Sequence, residues 1–153
     1  MSKGSYQGNK LLLDTSFLLP ILGFDTSKRV IEAFPKLRGY ELYYSDLSIL
    51  EALWKIVKII RGTEEEIKRV AEGVASIKES MKKAPINEEA VKKAMEMYML
   101  GHRDMIDNIL YATALTQGLR LLTVDAALRE FVTSKGLPAH AIAFPEELGR
   151  EKR

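Results

Sequence analysis

With 153 residues, 46% of them apolar and 29% charged, the chain has the size and composition of one globular domain that buries its own core. It contains no cysteine, which excludes a disulfide framework, a thiolate metal site and a thiol nucleophile. Its 23 basic and 21 acidic residues leave a net charge of +2, so bulk charge points to no polyanionic partner. No stretch approaches the ~20 apolar residues of a membrane helix. Lys3 and Lys10 precede an apolar run in the manner of a signal peptide, but Asp14 interrupts that run and no small-residue cleavage site follows. We therefore expect a cytoplasmic protein with no membrane partner.

Residues 1–9 are polar and read as a loose arm. Residues 10–14, a leucine run ending in Asp14, have the look of a buried parallel strand. A short helix near 16–22 should stop around Gly23. Val30, Ile31, Phe34 and Leu37 recur at helical spacing over 26–37. Glu41 to Tyr44 reads as a second strand. Over 48–61, Leu50, Leu53, Trp54, Val57 and Ile60 form an apolar stripe, suited to covering a sheet or to self-association. Thr63 to Glu66 is a capping box for a helix to about 82. Residues 84–86 suggest an edge strand. Helices follow at about 88–100, 105–116 and 126–134, with strands at 119–124 and 139–144. Residues 146–153 form a charged tail. Alternating strands and helices predict a three-layer α/β/α domain over residues 10–145, with a mostly parallel sheet of about five strands.

Two acids stand where such a sheet presents its carboxyl edge, the side on which open α/β sheets bind ligands, and two more lie at helix starts that could face the same edge. Asp14 and Asp125 each follow an apolar strand. Glu51 and Asp107 lie near helix starts. Taken singly, each has an ordinary role: Asp14 and Asp125 as helix caps, Glu51 in a box with Ser48, Asp107 as complement to a helix dipole. If they converge they matter more, because ionised pairs about 5 Å apart repel by ~3 kcal/mol at an effective dielectric of 20, and convergence is a matter for a structure or a resemblance rather than for spacing. Oxygen ligands without a Cys or His cluster suit Mg²⁺ or Mn²⁺ rather than zinc.

The motifs Leu11-Leu-Leu-Asp14-Thr15-Ser16, Ser45-Asp-Leu-Ser-Ile-Leu-Glu51, Asp107-Asn-Ile-Leu-Tyr-Ala-Thr-Ala114 and Leu121-Leu-Thr-Val-Asp125-Ala-Ala-Leu128, in that order, resemble the PIN domain family of metal-dependent ribonucleases. The resemblance covers about residues 10–145. It implies that Asp14, Glu51, Asp107 and Asp125 bind one or two Mg²⁺ or Mn²⁺ ions and cut RNA, with Thr15, Ser16 and Thr123 as small polar neighbours. It also implies 5′-phosphate and 3′-hydroxyl products. In size the chain is similar to the toxin half of VapBC toxin–antitoxin pairs, which implies a homodimer restrained by a small antitoxin. Asp104 departs from the pattern by placing a second acid on the same helix, as its N-cap or as an outer acid.

Other readings stay open. One is a non-catalytic PIN module that binds RNA or a protein; another is a stand-alone RNA-processing nuclease. A haloacid-dehalogenase-like domain would need Asp-x-Asp where the chain has Asp14-Thr15-Ser16, and there is no Gly-x-x-x-x-Gly-Lys loop. Lys55, Lys58 and Arg61 either steer a phosphate backbone or form a solvated face with a Glu51–Lys55 pair. Arg103 reads as an ion-pair partner of Asp107. His102 and His140 read as surface residues, and Met95, Met97, Met99 and Tyr98 as packing.

Overall fold

The computed structural model describes residues 9–149. Most of the expected arm, 1–8, and the end of the expected tail, 150–153, lie outside the described residues. The elements are β1 (Lys10–Leu13), α1 (Thr15–Leu18), α2 (Lys28–Ile31), β2 (Glu41–Tyr44), α3 (Asp46–Val57), α4 (Glu64–Ser80), β3 (Lys82–Lys83), α5 (Glu88–Met99), α6 (Met105–Thr116), β4 (Arg120–Leu122), α7 (Ala126–Ser134) and β5 (Ile142–Ala143). Short 3₁₀ turns occupy Phe34–Leu37, Ala139–Ala141 and Pro145–Glu147.

The strands form one sheet in the order β3-β2-β1-β4-β5, and every described pairing is parallel. Successive side chains of a strand face opposite ways, and β1 shows the result. Leu11 and Leu13 enter a core with Phe17, Leu18, Ile49, Ala52, Ile56 and Ile77. Leu12 enters another with Leu110, Tyr111, Leu121, Leu128 and Val132. All three leucines are fully buried, so helices cover both faces, as the continuous apolar run requires. The expected three-layer α/β/α architecture is the one observed.

The order of strands reverses beside β1: β2 and β3 lie to one side, β4 and β5 to the other. Such a switch point opens a crevice at the carboxyl ends of the two strands. Asp14 follows β1 and Asp125 lies three residues past the end of β4.

Several elements differ from expectation for local reasons. The helix expected over 26–37 is broken into α2 and a 3₁₀ turn, with Pro35 in the first turn of the latter. The edge strand is Lys82–Lys83 rather than 84–86, because pairing with Tyr43 and Tyr44 is a backbone event. On α3 the buried face is Ser48, Ile49, Ala52 and Ile56. The larger Leu50, Trp54 and Val57 face outward, with Trp54 61% exposed. Small side chains there let α3 approach α1 and the sheet closely. Residues 146–149 pack on the body: Glu146 pairs with Arg29, Leu148 is buried, and the Gly149 N–H donates to the Tyr40 hydroxyl. Among the described residues no helix is long and apolar enough to cross a membrane.

Candidate functional site

A cleft of about 200 Å³ opens at the switch point, lined by Asp14, Thr15, Ser16, Glu51, Lys55, Asp104, Asp107, Leu110, Val124 and Asp125. The acids singled out in the sequence thus face one space, together with Asp104, Thr15 and Ser16. Lys55 is the one cation among the described residues that line it. Lys58 and Arg61 do not line it. His140 also lies elsewhere, on the 3₁₀ turn before β5.

Four of the five acids are held at the start of a helix. Asp14 is the N-cap of α1 and accepts from the Ser16 N–H at 2.9 Å. Asp104 caps α6, accepting from the Asp107 N–H at 3.1 Å. Asp125 caps α7, accepting from the Leu128 N–H at 3.1 Å. Asp107 is in the first turn of α6. The ordinary capping roles are therefore real for Asp14, Asp104 and Asp125, and they coexist with a place in the cleft. Glu51 is different. Ser45 caps α3, and the Glu51 carboxylate instead accepts a hydrogen bond from the Thr15 hydroxyl of α1.

Thr123 links two strands. Its hydroxyl oxygen accepts from the Asp125 N–H at 3.1 Å, and its proton goes to Asp14. The fully enclosed hydroxyl thus holds the two acids of the switch point together.

The electrostatics are those of crowded like charges. Burial pushes the Asp14 carboxyl up to about 6, opposed by the Thr123 and Ser16 hydrogen bonds and reinforced by Glu51 and Asp125. Asp107 is raised by burial, by a hydrogen bond shared with Asp125, and by the charges of Asp104, Asp125 and Asp14. Asp125 is lowered by the same shared hydrogen bond, helped by the Leu128 N–H and the charge of His102. The hydrogen bond between the two carboxyls thus raises one and lowers the other.

Among the described residues, no group of three or more His, Asp or Glu side chains is gathered tightly enough to hold a metal ion as it stands. The donor set still fits a hard divalent cation. It consists of carboxylates and hydroxyls only, and the neighbouring charges of Asp104, Asp125 and Asp14 raise Asp107. Asp14, Glu51, Asp107 and Asp125 are the residues that would hold such an ion.

Two residues just before Asp104 differ from their sequence reading. His102, read as a surface residue, is half-buried and lies 2.7 Å through Nδ1 from Asn108 Oδ1. Arg103, read as an ion-pair partner, has its guanidinium over the Tyr98 ring at 5.1 Å. Asn108 stood inside a quoted motif, but only the tertiary structure shows what its amide touches.

Comparison with known proteins gives the family and the fold. Residues 11–132 match the family model described as PIN domain. No curated protein matches. Among solved structures, FitAcB from Neisseria gonorrhoeae is 19% identical, with a TM-score of 0.61 over 90% of this chain and 99% of that one. A toxin–antitoxin complex from Klebsiella pneumoniae is 15% identical, with a TM-score of 0.62 over 88% and 97%. DNA-bound VapBC from Salmonella typhimurium is 16% identical, with a TM-score of 0.59 over 89% and 98%. At such identities the likeness is one of fold.

Proposed function

The chain belongs to the PIN domain family, and from that membership we propose that it is a Mg²⁺- or Mn²⁺-dependent endoribonuclease. The observation that carries the reading is the meeting of Asp14, Glu51, Asp107 and Asp125 in one cleft at the switch point of the sheet. Residues 10–145 form its nuclease domain.

A bound divalent ion supplies an activated water and charge neutralisation at the scissile phosphate. The residues of the chain supply the rest. Asp14 and Asp107, whose carboxyls are the most strained, gain most when a cation replaces the proton and the repulsion. Thr123 keeps the Asp14 carboxylate in one orientation. The Thr15 hydroxyl does the same for Glu51. Lys55 at the rim offers a charge to the phosphate backbone entering an otherwise acidic cleft. Lys58 and Arg61 lie farther along and serve at most as steering charge.

The partners proposed are RNA as substrate, a second copy of the chain and a small antitoxin, in a cytoplasmic toxin–antitoxin pair. Two exposed apolar regions support partner binding. One is Leu50, Trp54, Val57, Ile59 and Ile67 on α3, α4 and their linker; the other is Met95, Met99 and Leu100 at the end of α5. The neighbours that are toxin–antitoxin complexes support the biological setting.

The test is incubation of the pure protein with a labelled structured RNA in Mn²⁺, Mg²⁺ or EDTA, beside Asp14→Asn and Asp107→Asn. Cleavage should need the metal, leave 5′-phosphate and 3′-hydroxyl ends, and fall by ~10²-fold or more in both variants. A 2′,3′-cyclic phosphate end, or full activity in Asp14→Asn, would overturn the reading.

A further inference from the structure

A carboxylate is placed only as well as the backbone beneath it. Asp107 stands in the first turn of α6, and the next residue, Asn108, is fully buried. The Asn108 amide is engaged on both sides. Its Nδ2 donates to the His102 carbonyl at 2.7 Å and to the Ala94 carbonyl of α5 at 3.4 Å. Its Oδ1 lies 2.7 Å from His102 Nδ1. Since Nδ2 faces two carbonyls, Oδ1 is the acceptor, and His102 carries its proton on Nδ1.

His102 is itself fixed from three directions. Its backbone N–H donates to the Met97 carbonyl at the end of α5 at 3.1 Å. Its side chain reaches Asn108 on α6. Its ring packs on Phe131 of α7, with centroids 5.1 Å apart. One residue therefore joins the helix that carries Asp107 to the helix that Asp125 caps. Helix capping does not call for this arrangement, because α6 already has Asp104 and α7 already has Asp125. A buried amide costs stability unless every group is matched. Here its carbonyl and its NH₂ both find partners, next to one of the acids that line the cleft.

We propose that His102, through its Nδ1–H hydrogen bond to Asn108, is a positioning residue that sets the place of Asp107 relative to Asp125 for divalent-cation binding. The inference deepens the nuclease reading and rests on it. The ring contact with Phe131 orients His102; the hydrogen bond does the positioning. Removing a group that hydrogen-bonds a metal ligand directly weakens the metal ~10-fold to ~100-fold, and His102 acts one link farther back, through Asn108, so the low end of that range is expected.

The test separates the hydrogen bond from the ring. His102→Phe keeps a ring against Phe131 and loses the donor. His102→Asn keeps a donor where Nδ1 stood and loses the ring. Mn²⁺ affinity is measured for both, for the wild type and for Asp107→Asn, on protein shown to be folded by its melting curve. We expect His102→Phe to bind Mn²⁺ ~10-fold more weakly and His102→Asn to stay within about threefold of the wild type. Wild-type affinity in a folded His102→Phe protein overturns the proposal. So does an equal loss in both variants, which a merely structural role would give. If Asp107→Asn weakens Mn²⁺ and His102→Phe does not, only this inference fails; if neither does, the metal reading fails with it. The ¹⁵N shifts of the wild-type imidazole give a check that needs no variant: protonation at Nδ1 supports the proposal, and the opposite neutral tautomer overturns it.

Discussion

Two ends of the same sheet edge treat acids in opposite ways. In the cleft beside β1 and β4, acids crowd together and Asp14 is pushed up to about 6. Past β5, Glu146 is brought down to about 2 by the Arg29 guanidinium, whose Nε and Nη2 donate to it at 2.6 and 3.0 Å. Beside it Glu147 holds Arg129 at 2.8 Å. Both guanidiniums lie over the Phe144 ring, at 5.2 and 4.2 Å. Every charge in this corner has an opposite neighbour, whereas the cleft holds several acids and one lysine. The corner pairs its charges; the cleft leaves its acids crowded, a condition that a proton or a cation relieves.

The sharpest way to break this contrast is Asp14→Asn in the presence of a chelator. A carboxyl raised from 3.8 to about 6 on folding costs nothing well below 3.8, where it is protonated in both states. The cost grows as pH rises from about 4 to about 6 and is constant above that, with a ceiling of ~3 kcal/mol. Asp14 is half-buried, so ~1–2 kcal/mol is the expected gain in Asp14→Asn at pH 8, shrinking to a small remainder near pH 4. Urea unfolding at both pH values measures it. A variant less stable than the wild type at pH 8 would show that the cleft is not strained.

The sequence carried most of the frame of this site and little of its wiring. Both α6 and α7 begin where Asp104 and Asp125 cap them, and those caps were readable because a cap acts on the next three residues of its own chain. The leucine run of β1 announced a strand buried on both faces. The face that α3 buries was not readable. Periodicity reveals a stripe, but only the neighbours decide whether Trp54 or the small Ala52 turns inward. The Thr15–Glu51 and His102–Asn108 contacts lay hidden for a different reason. Glu51 has a serine three residues before it, the local pattern of a capping box, and nothing in the chain says that a hydroxyl 36 residues away takes its place. Convergence of the acids likewise depended on strand order, which the sequence suggested only through family resemblance.

The paired corner predicts smaller effects of the ordinary sign. Phe144→Leu removes the surface on which Arg29 and Arg129 rest and should destabilise the domain by ~1–2 kcal/mol, at ~0.5–1 for each cation–π contact. Thermal unfolding checks it, and no change would mean that the carboxylates alone place the guanidiniums. RNA cleavage by this variant should stay near that of the wild type, since Phe144 does not line the acidic cleft.

Glu146→Gln should have the smallest effect, and its pH dependence runs opposite to that of Asp14→Asn. A carboxylate lowered from 4.5 to about 2 stabilises the fold above pH 4.5 and loses that contribution as pH falls toward 2. The pair is half-exposed, so no more than ~1 kcal/mol is expected at pH 7, and 1 M salt should reduce it. Stability measured against pH therefore separates the two regions without any assay of activity. Between pH 6 and 4 the wild type gains on Asp14→Asn as its own cleft takes up protons, while its margin over Glu146→Gln begins to shrink only below about 4.5. If both margins moved in the same direction, the division of this sheet edge into a strained end and a paired end would be wrong.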